Sequence, residues 1–145
     1  MTGPGDVDPG LLARLRPICL GLPEATERVA WIGIAWRIRQ RTFAHTYTVE
    51  AEGHPVYGHL AQWSGPLPVV SFRSPPDELP ALVARGYPFF RAAWGRDVMW
   101  LVLDEERLDW REVAELLTES YRVLAPRRLA AQVGPSEPGP AVAPL

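Results

Sequence analysis

"LPEATERVAWIGIAWRIRQRTFAHTYTVEAEG", residues 22–53, is dense in Val, Ile, Trp, Thr, Tyr and Phe. Such side chains suit a pleated, half-buried surface, so the stretch predicts strands, at about 28–32, 34–39 and 42–50. Within it Trp36 and Ile38 share one face, and Arg37, Arg39 and Arg41 fall on the other parity. At Gln40 the alternation breaks, because Phe43 has the parity of the arginines. A slip of one residue carries an entire side-chain set to the opposite face of a sheet, so a turn is predicted at Gln40.

The flanks decide how these strands are arranged. Upstream, "DPGLLARL" offers Asp8 as an N-cap and Pro9 at the first helical position. One helix is expected from there to near Gly21, kinked at Pro17, with Leu12, Leu15, Cys19 and Leu22 on its buried face. Downstream, strands are expected at about 58–63 and 68–72, then a short helix with Pro76 early and Gly86 as its stop. "VMWLVLD" (98–104) is short and apolar enough for a buried strand.

Asp109 followed by Glu112 has the spacing of a capping box. Trp110, Val113, Ala114, Leu117, Tyr121 and Leu124 then recur at helical spacing. Pro126 ends that helix and opens a last short one, "APRRLAAQV". The strands cluster and do not alternate with helices, which predicts an α+β fold with a largely antiparallel sheet. One domain is expected over 8–133, with a flexible stretch at 1–7 and a disordered Pro/Gly-rich tail at 134–145.

The formal net charge is -2, whereas a dedicated nucleic-acid binder is usually basic overall. All 15 basic residues are arginine, a bias that a GC-rich coding sequence explains without selection for guanidinium chemistry. The charges are nevertheless sorted along the chain. Arg28, Arg37, Arg39 and Arg41 follow one another with no acid between them, as do Arg85, Arg91 and Arg96. Asp104 to Glu119 is predominantly acidic. Sorting of this kind builds either unrelated solvated faces or a basic face on an acidic protein. No apolar run approaches the roughly 18 residues that would span a bilayer, and no signal peptide is evident. With one cysteine, Cys19, a cytoplasmic protein without membrane contact is expected.

Few groups suit catalysis. Cys19 falls on a predicted buried face, and Ser120 lies inside a helix without a nucleophile elbow. His45, His54 and His59 lack zinc-ligand spacing, and Asp104, Glu105 and Glu106 read as a solvated turn. No phosphate-binding glycine motif occurs. A non-enzyme without metal or cofactor is expected.

The chemistry that does stand out is phosphate contact, carried by Arg37, Arg39, Arg41, Arg127 and Arg128, with Arg91 and Arg96 in second rank. Against it, Arg37 has a cross-strand alternative in Glu50, and Arg127 and Arg128 also read as solvated charge at a helix end. Trp36, Trp63, Trp94 and Trp100 either stack bases or fill the core, the core being the commoner fate. A module that binds a protein partner, itself or a small ligand is the competing reading.

"ICLGLPEATERVAW", "WRIRQRTFA" and above all "DWREVAELLTESYRVLAPRRLA" resemble the MmcQ/YjbR-like family, over roughly residues 11–133. The resemblance implies a CyaY-like fold with helices packed on one face of the sheet. It also implies DNA binding through winged hairpins, with no established catalytic residues, and the net charge of -2 makes weak, mainly electrostatic binding the expectation. The family's usual Gly-Lys at the hairpin tip is Gln40-Arg41 in this chain, and residues 53–66 depart from the pattern.

Overall fold

A computed structural model describes residues 7–30, 32–50, 66–91 and 96–133. The strand expected at 58–63, His54, His59, Trp63, Trp94, the tail from 134 and residues 1–6 lie outside the described residues. Among the described residues, six antiparallel strands form one sheet in the order β1-β2-β3-β4-β6-β5. They are β1 (Ala25–Val29), β2 (Ile34–Ile38), β3 (Arg41–Glu50), β4 (Pro66–Arg73), β5 (Phe89–Arg91) and β6 (Val98–Val102). Four helices accompany them among the same residues: α1 (Pro9–Leu20), α2 (Leu79–Arg85), α3 (Trp110–Leu124) and α4 (Arg127–Val133). The α+β class and the antiparallel sheet are as the sequence predicts.

β1 runs earlier than the expected 28–32 because the turn after it begins at Ala30, whose N–H donates to the carbonyl of Gly33 at 3.1 Å. Gly33 has φ +69 and lies so close to β3 that a Cβ there would overlap the Thr46 carbonyl. No L side chain is compatible with both demands.

The parity break at Gln40 has two causes, of which the sequence suggested one. Ile38 pairs with Arg41, so Arg39 and Gln40 form a two-residue hairpin loop. Arg39 takes φ 60, the left-handed region that the first position of such a loop often assigns to glycine. The second cause is a bulge in β3. Trp36 pairs with Ala44 but Arg37 pairs with Thr42, leaving Phe43 as the extra residue. Phe43 and Ala44 therefore both enter the core with Trp36 and Ile38.

All four helices contribute to that core, on the sheet face carrying Trp36, Ile38, Val70, Phe72, Met99 and Leu101. The other face carries a second cluster of Tyr47, Leu67, Val69, Val98, Trp100 and Val102. Trp36 and Trp100 are both buried, so they serve as core and not as base-stacking platforms. The buried stripe of α1 is Leu11, Leu15 and Cys19, one residue earlier than the expected Leu12, while Leu12 and Leu22 pack at its margin. Pro17 sits inside α1, and the helix continues past it to Leu20. The three-residue β5 was not expected from sequence; it pairs with β6 from Phe89 to Arg91.

α3 ties the layers together. Asp109 caps it by accepting from the Arg111 N–H at 3.0 Å. Asp109→Ala is expected to lower stability by about 1 kcal/mol in urea unfolding, the usual value of a lost N-cap. Tyr121, fully buried, donates to the Pro23 carbonyl at 2.7 Å and packs edge-on against Phe43 at 5.5 Å. Ser120, also fully buried, donates to the Phe43 carbonyl at 2.6 Å and accepts from the Arg73 N–H at 2.8 Å. The bulge turns Phe43 out of the β3–β4 ladder, whose last pair is Ala44 with Phe72, and the Ser120 hydroxyl joins the strands beyond that point.

Candidate nucleic-acid interface

Strand pairing gathers the arginines. In an antiparallel sheet, the end of one strand lies beside the start of the next. The β2–β3 hairpin brings Arg37, Arg39 and Arg41 to one end of the sheet, since Ile38 pairs with Arg41. β3 pairs with β4 so that Ala44 faces Phe72, which puts Arg73 at the same end. Arg73 pairs with Val98 and Arg91 with Met99, adding Arg91 and Arg96. Stretches separated by up to about fifty residues thus meet along one rim.

The five first-rank arginines are not equally available. Arg39 is half exposed and pairs with the half-exposed Glu24 at 3.2 Å. A pair this exposed contributes at most about 1 kcal/mol and is weakened by salt. Arg37 folds back and donates to the Gln40 carbonyl at 2.7 Å, bracing its own turn. Arg41 reaches the Leu124 carbonyl at 3.5 Å, where its charge meets the negative end of the α3 dipole. That contact also places the hairpin beside the α3–α4 corner. Arg127 and Arg128 stand there on the first turn of α4, exposed and without an ion pair among the described residues. The structure therefore unites the hairpin tip and the α4 pair, and leaves Arg37 as a supporting member. The cross-strand neighbours of Arg37 are Thr26 on β1 and Thr42 on β3, not the Glu50 that parity offered.

Glu24 and Asp97 also stand at this end, and other acids collect elsewhere. Asp8, Asp104, Glu105 and Glu106 line a cleft of about 640 Å³ with Pro68 and Leu103, at the opposite end of the strands. There the Tyr87 hydroxyl donates to Asp104 at 2.9 Å. Burial, aided by that carboxylate, pushes the Tyr87 hydroxyl up to about 12. Glu78, Glu112, Glu115 and Glu119 flank a second cleft along α3. Burial, with Glu119 and Asp77 nearby, holds the Glu78 carboxyl above its ordinary range. Among the described residues, no group of three or more His, Cys, Asp and Glu is placed to hold a metal ion.

Glu27, at the centre of β1, has a structural task. It receives two charge-assisted bonds from Arg16 Nε and Nη2 at 3.0 Å, and one from the buried Trp36 Nε1 at 2.9 Å. The Arg16 bonds chiefly hold its carboxyl below the ordinary carboxylate range. A depressed folded-state pKa contributes stability above the unfolded value, about 4.3, that is lost as pH falls through the folded value. Glu27→Gln should therefore be less stable than the parent protein at pH 7. In paired urea unfolding curves the difference should narrow as pH falls below about 4.3.

Among the described residues, Cys19, Ser120 and His45 are occupied in packing and hydrogen bonding. Cys19 is buried, and burial raises its thiol pKa. The Ser120 hydroxyl is consumed in the strand bridge. His45 donates through Nε2 to the Ile32 carbonyl at 2.7 Å, the only direction a carbonyl partner permits. Arg73 was not among the sequence-derived candidates. Its signal was present in the alternation of Val69, Ser71 and Arg73 against the core-facing Val70 and Phe72, but its place on the rim depends on pairing with β6.

The fold defines the class first: an α+β protein in which the described residues place four helices on one face of a six-stranded antiparallel sheet. A Deinococcus radiodurans protein with a DUF419 domain shares it at 16% identity and a TM-score of 0.59, over 88% of this chain and 92% of that one. A Pseudomonas syringae protein does so at 12% identity and a TM-score of 0.59, over 81% and 98%. Likeness at these identities is of fold alone. No curated protein matches the chain. The YjbR family model matches residues 20–123, and the chain belongs to the YjbR family. No helix among the described residues is long and apolar enough to cross a membrane.

Proposed function

We propose that this protein binds duplex DNA, weakly and mainly through its phosphates, and performs no chemistry on it. The supporting observation is the arginine rim: Arg39 and Arg41 at the hairpin tip, with Arg127 and Arg128 exposed at the corner that Arg41 touches. Guanidinium groups fork onto phosphate oxygens, and a convex hairpin tip beside a helix end can follow a backbone. The net charge of -2 sets the expected strength, because the remainder of the molecule repels the polyanion. The use already made of Cys19, Ser120 and His45 in packing and hydrogen bonding supports a non-catalytic reading.

Fluorescence anisotropy with a labelled duplex tests the proposal. Binding should be measurable at about 50 mM salt and fall at least tenfold by about 200 mM, as release of counterions from two to four phosphates requires. Absence of binding at the lower salt removes the reading. Affinity that ignores salt contradicts the arginine–phosphate mechanism.

A further inference from the structure

The face of the sheet opposite the described helices changes character along its strands. Its apolar part carries Tyr47, Val69, Trp100 and Val102. Toward the arginine end, Thr42, His45, Ser71, Arg73 and Val98 border an open cleft of about 260 Å³. Register explains the grouping. His45 pairs with Ser71 and Arg73 with Val98, and cross-strand partners project from the same face. Thr42 joins them because the bulge at Phe43 resets the phase of β3.

The electrostatics of this cleft are one-sided. No carboxylate is among its bordering described residues. Arg73 is half-buried, and its guanidinium makes no ion pair among the described residues. An anion in the cleft would supply the counter-charge that this guanidinium lacks among the described residues. Arg37, next to Thr42 across the strands, has a buried Nε with no hydrogen-bond partner among the described residues. His45 is held by Ile32 and by its ring contact with Tyr47 at 4.6 Å, leaving Nδ1 as its remaining polar atom. Ser71 keeps the floor small and polar; its hydroxyl donates to the His45 carbonyl at 3.3 Å. Val98 supplies an apolar wall.

We propose that this cleft binds a small organic anion. An oxyanion head, phosphate or carboxylate, sits on Arg73 and the Thr42 hydroxyl, and a body of a few carbons lies against Val98. The size is suitable, since a cavity of about 150 Å³ admits benzene. The proposal does not rest on DNA binding: Arg39, Arg41, Arg127 and Arg128 do not border the cleft.

The test is an amide NMR titration of the full chain with phenyl phosphate, benzoate and inorganic phosphate. Saturable shifts at Ser71, Arg73 and Val98 are expected with at least one organic probe by about 20 mM, the range of a few charge-assisted bonds in an open site. The tighter organic probe identifies the head group. Arg73→Gln should weaken that probe at least tenfold and leave the melting temperature nearly unchanged, because the Arg73 bond to Ser120 is made by its backbone N–H. Arg39→Glu/Arg41→Glu should change it less than about threefold, since Arg41 turns to the Leu124 carbonyl on the helix side, Arg39 pairs with Glu24, and neither borders the cleft. No saturable shift with either organic probe overturns the proposal. So does binding that survives Arg73→Gln, binding lost only in the hairpin variant, or inorganic phosphate binding as tightly as both organic probes.

Discussion

Ser120→Ala should destabilise the fold by about 2–4 kcal/mol, because it strands two buried backbone groups at once. The hydroxyl accepts from the Arg73 N–H and donates to the Phe43 carbonyl, and its side chain is fully buried. Alanine has the better helix propensity, but by only about 0.5 kcal/mol, so the lost bonds dominate. Thermal unfolding should fall by about 10 °C, following the usual relation for a domain of this size. Val123→Ala on the exposed side of the same helix is the control, expected to lie within about 0.5 kcal/mol of the parent protein. Ser120→Cys should recover part of the loss, since a thiol is a weak donor and acceptor. A Ser120→Ala variant as stable as the control would mean that the bulge finds its hydrogen bonds elsewhere.

This bridge shows what sequence could and could not reveal. Ser120 stands on the stripe of Leu117, Tyr121 and Leu124, so a polar group facing the core was legible. Its partners were not, because they lie 47 and 77 residues away. The same division runs through the fold. Strand composition announced β2, β3 and β6, and caps announced α1 and α3, because these signals are local. β5 escaped because three residues after a proline carry no readable alternation. The parity break at Gln40 was visible, but one break cannot separate a turn from a bulge, and both are present. On α1, adjacent Leu11 and Leu12 offer two competing stripes, and packing against α3 and the sheet selects Leu11. At the candidate interface, Arg37, Arg39 and Arg41 were conspicuous as a run, whereas Arg73 gained meaning only from its neighbours in the sheet.

Charge sorting along the chain becomes charge sorting along the strands. Antiparallel pairing brings arginines from β2, β3, β4 and β5 to one end, while Asp8 and the Asp104–Glu106 run gather at the other. α3 follows the same logic: Glu112 lies in its first turn and Arg41 touches its last carbonyl, each the sign that the helix dipole favours. A chain of net charge -2 can thereby present a basic end, which composition alone would not suggest.

That polarity makes the effect of charge reversal depend on position. Arg39→Glu/Arg41→Glu should weaken duplex binding by about 10- to 100-fold at 50 mM salt, since each reversal replaces an attraction with a repulsion. The slope of log affinity against log salt should shrink by nearly two, about 0.9 for each lost phosphate contact. Arg28→Glu/Arg111→Glu changes the net charge equally, at two exposed positions away from the rim. It should cost less than about threefold, because screening removes most of an interaction acting beyond a Debye length of roughly 10 Å. Reversing Arg39 also sets two carboxylates together at Glu24, a half-exposed site where the penalty is at most about 1 kcal/mol, so melting curves should show both variants folded. Equal losses in the two variants would indicate attraction to net charge and no localised interface. Unchanged affinity in the hairpin variant would remove the tip from the interface and leave Arg127 and Arg128 to account for any binding.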